Sequence, residues 1–346
     1  MRRHLNTLYV TTQGAWLNKD GENVVVSVEN QERGRVPIHT IGGIAGFGRV
    51  LISPPLLGAC ADAGITVNYM TEQGRFLARV EGPVSGNVHL RRTQYRWADD
   101  PARRDAIIKS IVAGKVLNQR AVVTRAMRDH GDTTPEAVTA ALSGAADRLA
   151  GIVRRTEKPL DGDQLRGAEG EAGFVYFSVF DHLVRGEKPL FQFTGRNRRP
   201  PLDAVNALLS FVYALLTSDM CGALESVGLD PAVGYLHADR PGRPSLALDL
   251  IEEFRPFFAD RLVLSLINRR QLSAKDFRTL DNGATLLTDE GRKTVLVAYQ
   301  ERKRDEIQHP FLDEKITVGL LWFVQAQLLA RHLRGDLDAY PPFIWK

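Results

Sequence analysis

Up to about residue 90, hydrophobic positions fall in short runs of β-branched and aromatic residues cut by Gly, Asn and Asp. The runs at 8–11, 15–17, 24–26, 66–69 and 76–80 predict strands. Lys19-Asp20-Gly21 and Glu72-Gln73-Gly74 carry the turn chemistry of tight hairpins. One helix interrupts these strands, from Ser53-Pro54-Pro55 to near Gly64, with Ser as cap and Pro in the first turn. From Asp99 the period lengthens. Ile107, Ile108, Ile111, Val112 and Val116 line one helical face. Further helices are predicted at 134–154, 163–185, 202–226, 245–267 and 312–334. Thr134-Pro135-Glu136 and Pro200-Pro201-Leu202-Asp203 serve as starts and Gly228 as a stop. The pattern predicts an α+β protein: a small N-terminal β domain (1–90), a linker (91–100) and a larger all-helical domain (101–346) that would hold the chemistry.

The chain's 346 residues exceed what one hydrophobic core usually serves, which supports two domains. Hydrophobic residues at 44% and charged residues at 25% exclude global disorder. The apolar runs at 208–216 and 316–324 fall short of the roughly 18 residues that span a bilayer. No apolar stretch follows Arg2 and Arg3, so no secretory leader is expected. Cys60 and Cys221 alone make neither a disulfide framework nor a thiolate zinc site. A soluble, cytoplasmic protein is expected.

Lys plus Arg number 45 against 41 Asp plus Glu, a net charge of only +4, so placement matters more than the total. Arg196, Arg198 and Arg199 crowd one segment, Arg240 and Arg243 another, and Arg302, Lys303 and Arg304 a third. Together they favour an anionic partner over solvated loops. The run at 302–304, with His309, reads equally well as plain surface.

Three places carry polar groups that amphipathicity does not explain. In Leu165-Arg166-Gly167-Ala168-Glu169-Gly170, Glu169 shares a helical face with Leu165, Ala172, Gly173 and Tyr176, and small neighbours would let backbone or a ligand approach. A buried carboxylate there needs a cation, which an Arg could also supply. In Gly234-Tyr235-Leu236-His237, the His precedes a Pro/Gly/Arg loop, and a hydrogen-bonded structural His is the alternative. In Ser245-Leu246-Ala247-Leu248-Asp249-Leu250-Ile251-Glu252, Ser245 can cap a helix with Asp249 and Glu252 on one face, apolar nearly all round. Two buried carboxylates repel, and a divalent cation relieves that better than one Arg; an exposed acidic stripe is the alternative. Pro256 leaves the Glu252 carbonyl without its helical partner, which predicts a kink or helix end beside the pair. Oxygen-rich ligation with one imidazole and no thiolate suits Mg²⁺ or Mn²⁺, and the imidazole tilts the choice to Mn²⁺. A cation on carboxylates beside arginine loops suits phosphoryl transfer on nucleic acid.

These motifs resemble the CRISPR-associated integrase and endonuclease family, Cas one. The resemblance rests on 165–170, on Arg196-Asn197-Arg198-Arg199-Pro200-Pro201-Leu202-Asp203 and the helix that follows to Ser210, on 234–237 and on 249–256, in that order. Gly46-Phe47-Gly48-Arg49 followed by Ser53-Pro54-Pro55 is similar too. It implies a β domain that mediates a homodimer, an α domain that holds the metal, and assembly with a small Cas two partner dimer and, in some subtypes, a Cas four end-processing protein. It also implies Glu169, His237 and Glu252 as metal ligands, with Asp249, the second member of the acidic pair, among the catalytic residues. The implied reaction is integration of short DNA fragments into a CRISPR array, a 3′-hydroxyl attacking a phosphodiester, with nicking of branched DNA as the hydrolytic version. Lys115, Arg196, Arg198, Arg199, Arg240 and Arg243 are the candidate DNA-backbone contacts. A branched-DNA repair nuclease and a non-catalytic DNA-binding scaffold are the competing readings.

Overall fold

Strand after strand in the first eighty residues pairs into two four-stranded sheets. The computed structural model describes residues 6–80, 82, 88–130 and 134–345; the N-terminal residues behind the leader reading lie outside these. The strands are β1 (Thr7–Val10), β2 (Trp16–Asp20), β3 (Asn23–Val28), β4 (Gln31–Pro37), β5 (Gly43–Phe47), β6 (Leu51–Ile52), β7 (Thr66–Met70) and β8 (Phe76–Val80), with helix α1 (Pro54–Asp62) before β7. One sheet runs β4-β3-β2-β6 and the other β1-β5-β7-β8. Gly21, at φ +55°, and Gly74, at φ +83°, take the left-handed turn conformations that the sequence required of them. Three strands escaped the periodicity. β5 is buried at all five positions and so shows no alternation, β4 is a largely exposed charged edge, and β6 is only two residues long.

The two sheets and α1 enclose a small core of Leu17, Val24, Ile44, Val67, Leu56 and Cys60. Ala45, Phe47 and Met70 belong instead to the main core, with the helices. The helical part comprises α2 (Val88–Asp99), α3 (Pro101–His130), α4 (Glu136–Thr156), α5 (Gly162–Ser178), α6 (Phe180–Leu183), α7 (Lys188–Phe191), α8 (Ala204–Ser226), α9 (Ser245–Ile251), α10 (Arg261–Asn268), α11 (Asp289–Arg302) and α12 (Leu321–Leu333). The stretch 91–100, expected as a linker, is the body of α2. Nor is this part all helical: short hairpins pair β9 (Phe277–Thr279) with β10 (Thr285–Leu287), and β11 (Glu306–Gln308) with β12 (Lys315–Thr317). The helix expected at 312–334 therefore begins only at Leu321. The one expected at 245–267 divides into α9, a π-helical turn Arg255–Asp260, and α10, with Pro256 at the break.

α8 is the axis of the helical part. Asp203 caps it by accepting from the Asn206 N–H at 2.7 Å, and Gly228, at φ +84°, ends it. By length and composition it could cross a membrane, but 67% of its apolar window is buried inside the protein. It also carries the junction with the β domain. Phe211 packs on Phe47 with ring centroids 6.1 Å apart, and Gly74 leaves room for the Phe211 ring.

Lys303 is not part of a basic surface. Its ammonium is buried beside α8, 2.9 Å from Asp219 Oδ2, which also accepts from the Tyr299 hydroxyl at 2.9 Å. His309 is fully buried too, hydrogen-bonded to Gln325 at 3.1 Å. Asp219→Ala would leave the Lys303 charge buried and unpaired, so it should lower the free energy of unfolding by about 3 kcal/mol, as read from urea melts.

Candidate metal centre and nucleic-acid interface

α5 reaches the centre because both ends of its first turn are fixed. Asp161 and Gln164 form a reciprocal capping box, and Gly162 N–H donates to Asp105 of α3 at 2.9 Å. α5 therefore lies along α3, which sets Glu169 opposite Lys115. Leu165, Ala172 and Tyr176 are buried on the Glu169 face as expected, but Gly167, Gly170 and Gly173 open on empty space rather than admitting a neighbour.

His237 is placed by a turn wrapped around one carboxylate. Asp249 Oδ2 accepts from the N–H groups of Tyr235 and Leu236 at 2.6 and 3.0 Å. Asp249 Oδ1 accepts from the His237 N–H at 2.9 Å and faces His237 Nδ1 at 2.7 Å. Gly234 makes the wrap possible, since a Cβ there would come 2.8 Å from Ser245 and 2.9 Å from Asp249 Oδ2. Arg166 ties the turn to α5 through its Nε–H, which donates to the Leu236 carbonyl at 3.0 Å. Asp249 is thus not paired against Glu252, as the spacing suggested. Its oxygens are committed to backbone and imidazole, and the acceptor at Nδ1 assigns the ring proton there, which leaves Nε2 as the free acceptor atom. Nor does Ser245 cap α9. It is the first residue of the helix, and its hydroxyl donates to the Ala238 carbonyl at 3.2 Å.

Glu252 lies at the end of α9, 1% exposed. Three groups surround it: the Lys115 ammonium 2.7 Å from Oε2, the Arg255 guanidinium on Oε1, and His237 Nε2 4.0 Å from Oε1. Lys115 also pairs with Glu169, so one ammonium bridges two carboxylates. Burial alone would raise the Glu252 pKa; Arg255, Lys115 and His237 outweigh it and hold the carboxyl below its usual range. Burial likewise works against the Lys115 charge, but Glu252 and Glu169 carry its pKa above that of an ordinary lysine.

Lys115 joins Glu169 to Glu252, and His237 Nε2 lies 4.0 Å from Glu252 on its other oxygen, so Glu252 neighbours both and a positive charge already stands between the two carboxylates. Among the described residues no group of three or more His, Cys, Asp and Glu is placed to hold a metal ion; the Lys115 ammonium occupies the space between Glu169 and Glu252. The donor set nonetheless fits a divalent cation. Glu252 Oε2 is buried with the Lys115 ammonium as its one close partner, Glu169 is only half buried, and His237 Nε2 stands 4.0 Å from Glu252 Oε1. Two carboxylates and one imidazole match an oxygen-preferring ion.

His237 and Arg255 form part of the wall of a cleft of about 1870 Å³ between the β domain and the helices. Arg198, Arg199, Arg240 and Arg243 line it as well. Burial, with repulsion from Arg240, Arg198 and Arg255, pulls the Arg243 pKa down, the mark of crowded positive charge. Two candidate phosphate contacts are withdrawn from this role. Lys115 is buried between carboxylates. Arg196 is turned inward, donating to Asn206 Oδ1 at 2.6 Å and Ser210 Oγ at 3.2 Å with its guanidinium 5.4 Å above the Tyr213 ring. Arg255 lies over the same ring at 4.9 Å. Sequence reading passed over Arg255, although its place three residues after Glu252 was a signal. A lone Lys115 between Ile111, Val112 and Val116 was a second.

Residues 8–301 match the family model of CRISPR associated protein Cas1. The chain is 59% identical over 347 residues to "CRISPR-associated endonuclease Cas1 2" of Rhodospirillum rubrum, covering 100% of both. It is 35% identical over 340 residues to a "CRISPR-associated exonuclease Cas4/endonuclease Cas1 fusion" of Geobacter sulfurreducens, covering 97% of this chain and 60% of that protein. Among solved structures, a chain of a "Cas6-RT-Cas1--Cas2 complex" superposes with a TM-score of 0.81 at 22% identity, over 99% of this chain and 36% of that one, which is a likeness of fold.

Next to Glu252, Glu253 is fully buried with no cation, and burial pushes its carboxyl up to about 8. Between about pH 4.5 and 8 the folded state then keeps a proton that the unfolded chain releases, so this group's contribution falls with rising pH by roughly 1 kcal/mol per unit. Glu253→Gln should remove that slope, with urea melts from pH 6 to 8.5 showing the variant gaining on the parent as pH rises.

Proposed function

The chain belongs to the CRISPR associated protein Cas1 family, and on that footing we propose that it joins short DNA fragments to a CRISPR array by attack of a 3′-hydroxyl on a phosphodiester. It is an endonuclease and integrase of the CRISPR system; nicking of branched DNA is the same displacement with water as nucleophile. The observation that carries the reading is the chain of contacts from Glu169 through Lys115 to Glu252 and on to His237, whose ring lines an arginine-rich cleft.

Glu169, His237 Nε2 and Glu252 would hold the metal, Mn²⁺ or Mg²⁺, and the imidazole favours Mn²⁺. Bound there, the ion would supply Lewis-acid stabilisation of charge on phosphate oxygens. The chain's own groups prepare for it. Asp249 fixes the His237 tautomer and ring orientation. Arg255 keeps Glu252 ionised. Lys115 neutralises both carboxylates and competes with the ion for them. Arg198, Arg199, Arg240 and Arg243 hold the flanking phosphates of the DNA.

The partners follow from the family. The fused relative carries a Cas4 exonuclease on the same chain, and the fold neighbour belongs to a complex with Cas2; these support a small Cas2 dimer and a Cas4-type end-processing protein as partners. A homodimer through the β domain is supported by Trp16 and Leu51, 48% and 68% exposed, which face each other across β2 and β6. Action on an array supports a cytoplasmic location.

Glu169→Ala, His237→Ala and Glu252→Ala should each lower fragment joining by about 100-fold or more, with circular dichroism retained. The chelator-treated protein should melt at a higher temperature when Mn²⁺ is restored. Junction nicking with no joined product would favour the repair nuclease. DNA binding with steep salt dependence but no effect of Mn²⁺ on melting or activity would favour the scaffold.

A further inference from the structure

Behind the acidic centre lies a second buried polar network that the reaction does not use. Residues 340–345 thread between α3 and the turn that follows α9. Asn118, one turn beyond Lys115 on α3, donates from Nδ2 to the carbonyls of Glu253 at 2.7 Å and Phe343 at 2.9 Å. Its Oδ1 accepts from the Trp345 N–H at 2.7 Å. The Glu253 carboxyl accepts from the Phe343 N–H at 2.7 Å, the Tyr340 hydroxyl at 2.8 Å and Gln325 Nε2 at 3.1 Å. All of Asn118, Glu253, Gln325, Tyr340 and Phe343 are buried.

The location gives this network its consequence. Gly114, the residue before Lys115, has no room for a side chain: a Cβ would lie 2.9 Å from Pro342 and 3.2 Å from Glu253. Glu253 is the residue after Glu252. So the segment touches the immediate neighbours of both members of the Lys115–Glu252 pair. It does so where regular structure is interrupted, since α9 stops at Ile251 and the π-helical turn starts at Arg255. Backbone groups in that gap need donors from elsewhere, and Asn118 supplies one. Packing fixes the segment's own position. The Phe343 ring stacks on Phe254 at 5.5 Å, and Trp345 lies between the guanidinium groups of Arg125 at 5.0 Å and Arg261 at 4.1 Å. The region that matches the family model ends at residue 301, so the segment lies beyond it.

We infer that residues 340–345 are a positioning strap for the metal centre: bonded to Asn118 and Glu253 and wedged against Gly114, they set the separation between α3 and Glu252, and so the space in which Glu252, Glu169 and His237 receive the ion. The inference rests on the metal reading of those three residues. None of the strap residues touches the reacting atoms, so their effect passes through Glu252. Outer supports of this kind change metal affinity by about 10- to 100-fold.

The test compares the unsubstituted chain with Asn118→Ala and Tyr340→Phe. Melting temperature is followed through a Mn²⁺ titration, and branched-DNA affinity and nicking are measured at saturating Mn²⁺. The strap predicts an apparent Mn²⁺ Kd weaker by about tenfold in Asn118→Ala and about threefold in Tyr340→Phe. DNA affinity should be unchanged, with kcat lowered and KM retained. If Asn118→Ala does not fold, Tyr340→Phe decides by the same readings. Variants that melt earlier but titrate with Mn²⁺ like the parent overturn the strap and leave the metal centre standing. No Mn²⁺ shift in the unsubstituted chain overturns the metal reading, and the strap with it.

Discussion

One ammonium between two carboxylates is the interaction on which the centre depends. Removing Glu252 from water without a counter-charge would cost several kcal/mol. The fold meets that cost locally, with Lys115 from α3 and Arg255 one turn along the same segment. Because Lys115 also reaches Glu169 of α5, three separate elements are tied at one point.

Around that point the carboxylates divide the work by what surrounds them. Asp249 takes four donors and becomes a support for His237. Glu252 takes cations and keeps its charge. Glu253, one residue further, takes only neutral donors and binds its proton tightly. Three acids within five positions thus have three chemistries, each set by the partners around it.

The same economy governs the arginines. Those on loops, Arg198, Arg240 and Arg243, face a wide cleft and repel one another. Those packed on Tyr213, Arg196 and Arg255, have become part of the framework. Charge density in the sequence did not separate the two groups. Nor did it reveal Lys303, which looked like one of three basic surface residues and is the buried anchor of the junction between α8 and the rest.

Local chemistry was legible wherever it is decided within a few residues. Gly21, Gly74 and Gly228 mark their turns, Asp203 caps α8, and Pro256 breaks the segment that holds the acidic residues. Motif order was enough to point to the family. The uniformly buried β5, the exposed β4 and the small hairpins left no periodic trace, because burial on both faces or on neither erases alternation. What only the tertiary structure decided are partnerships between distant residues: Lys115 with Glu252, Asp249 with the turn at His237, Asn118 with residues 340–345. A side chain's partner across 135 or 225 positions depends on how helices pack, and no local pattern encodes it.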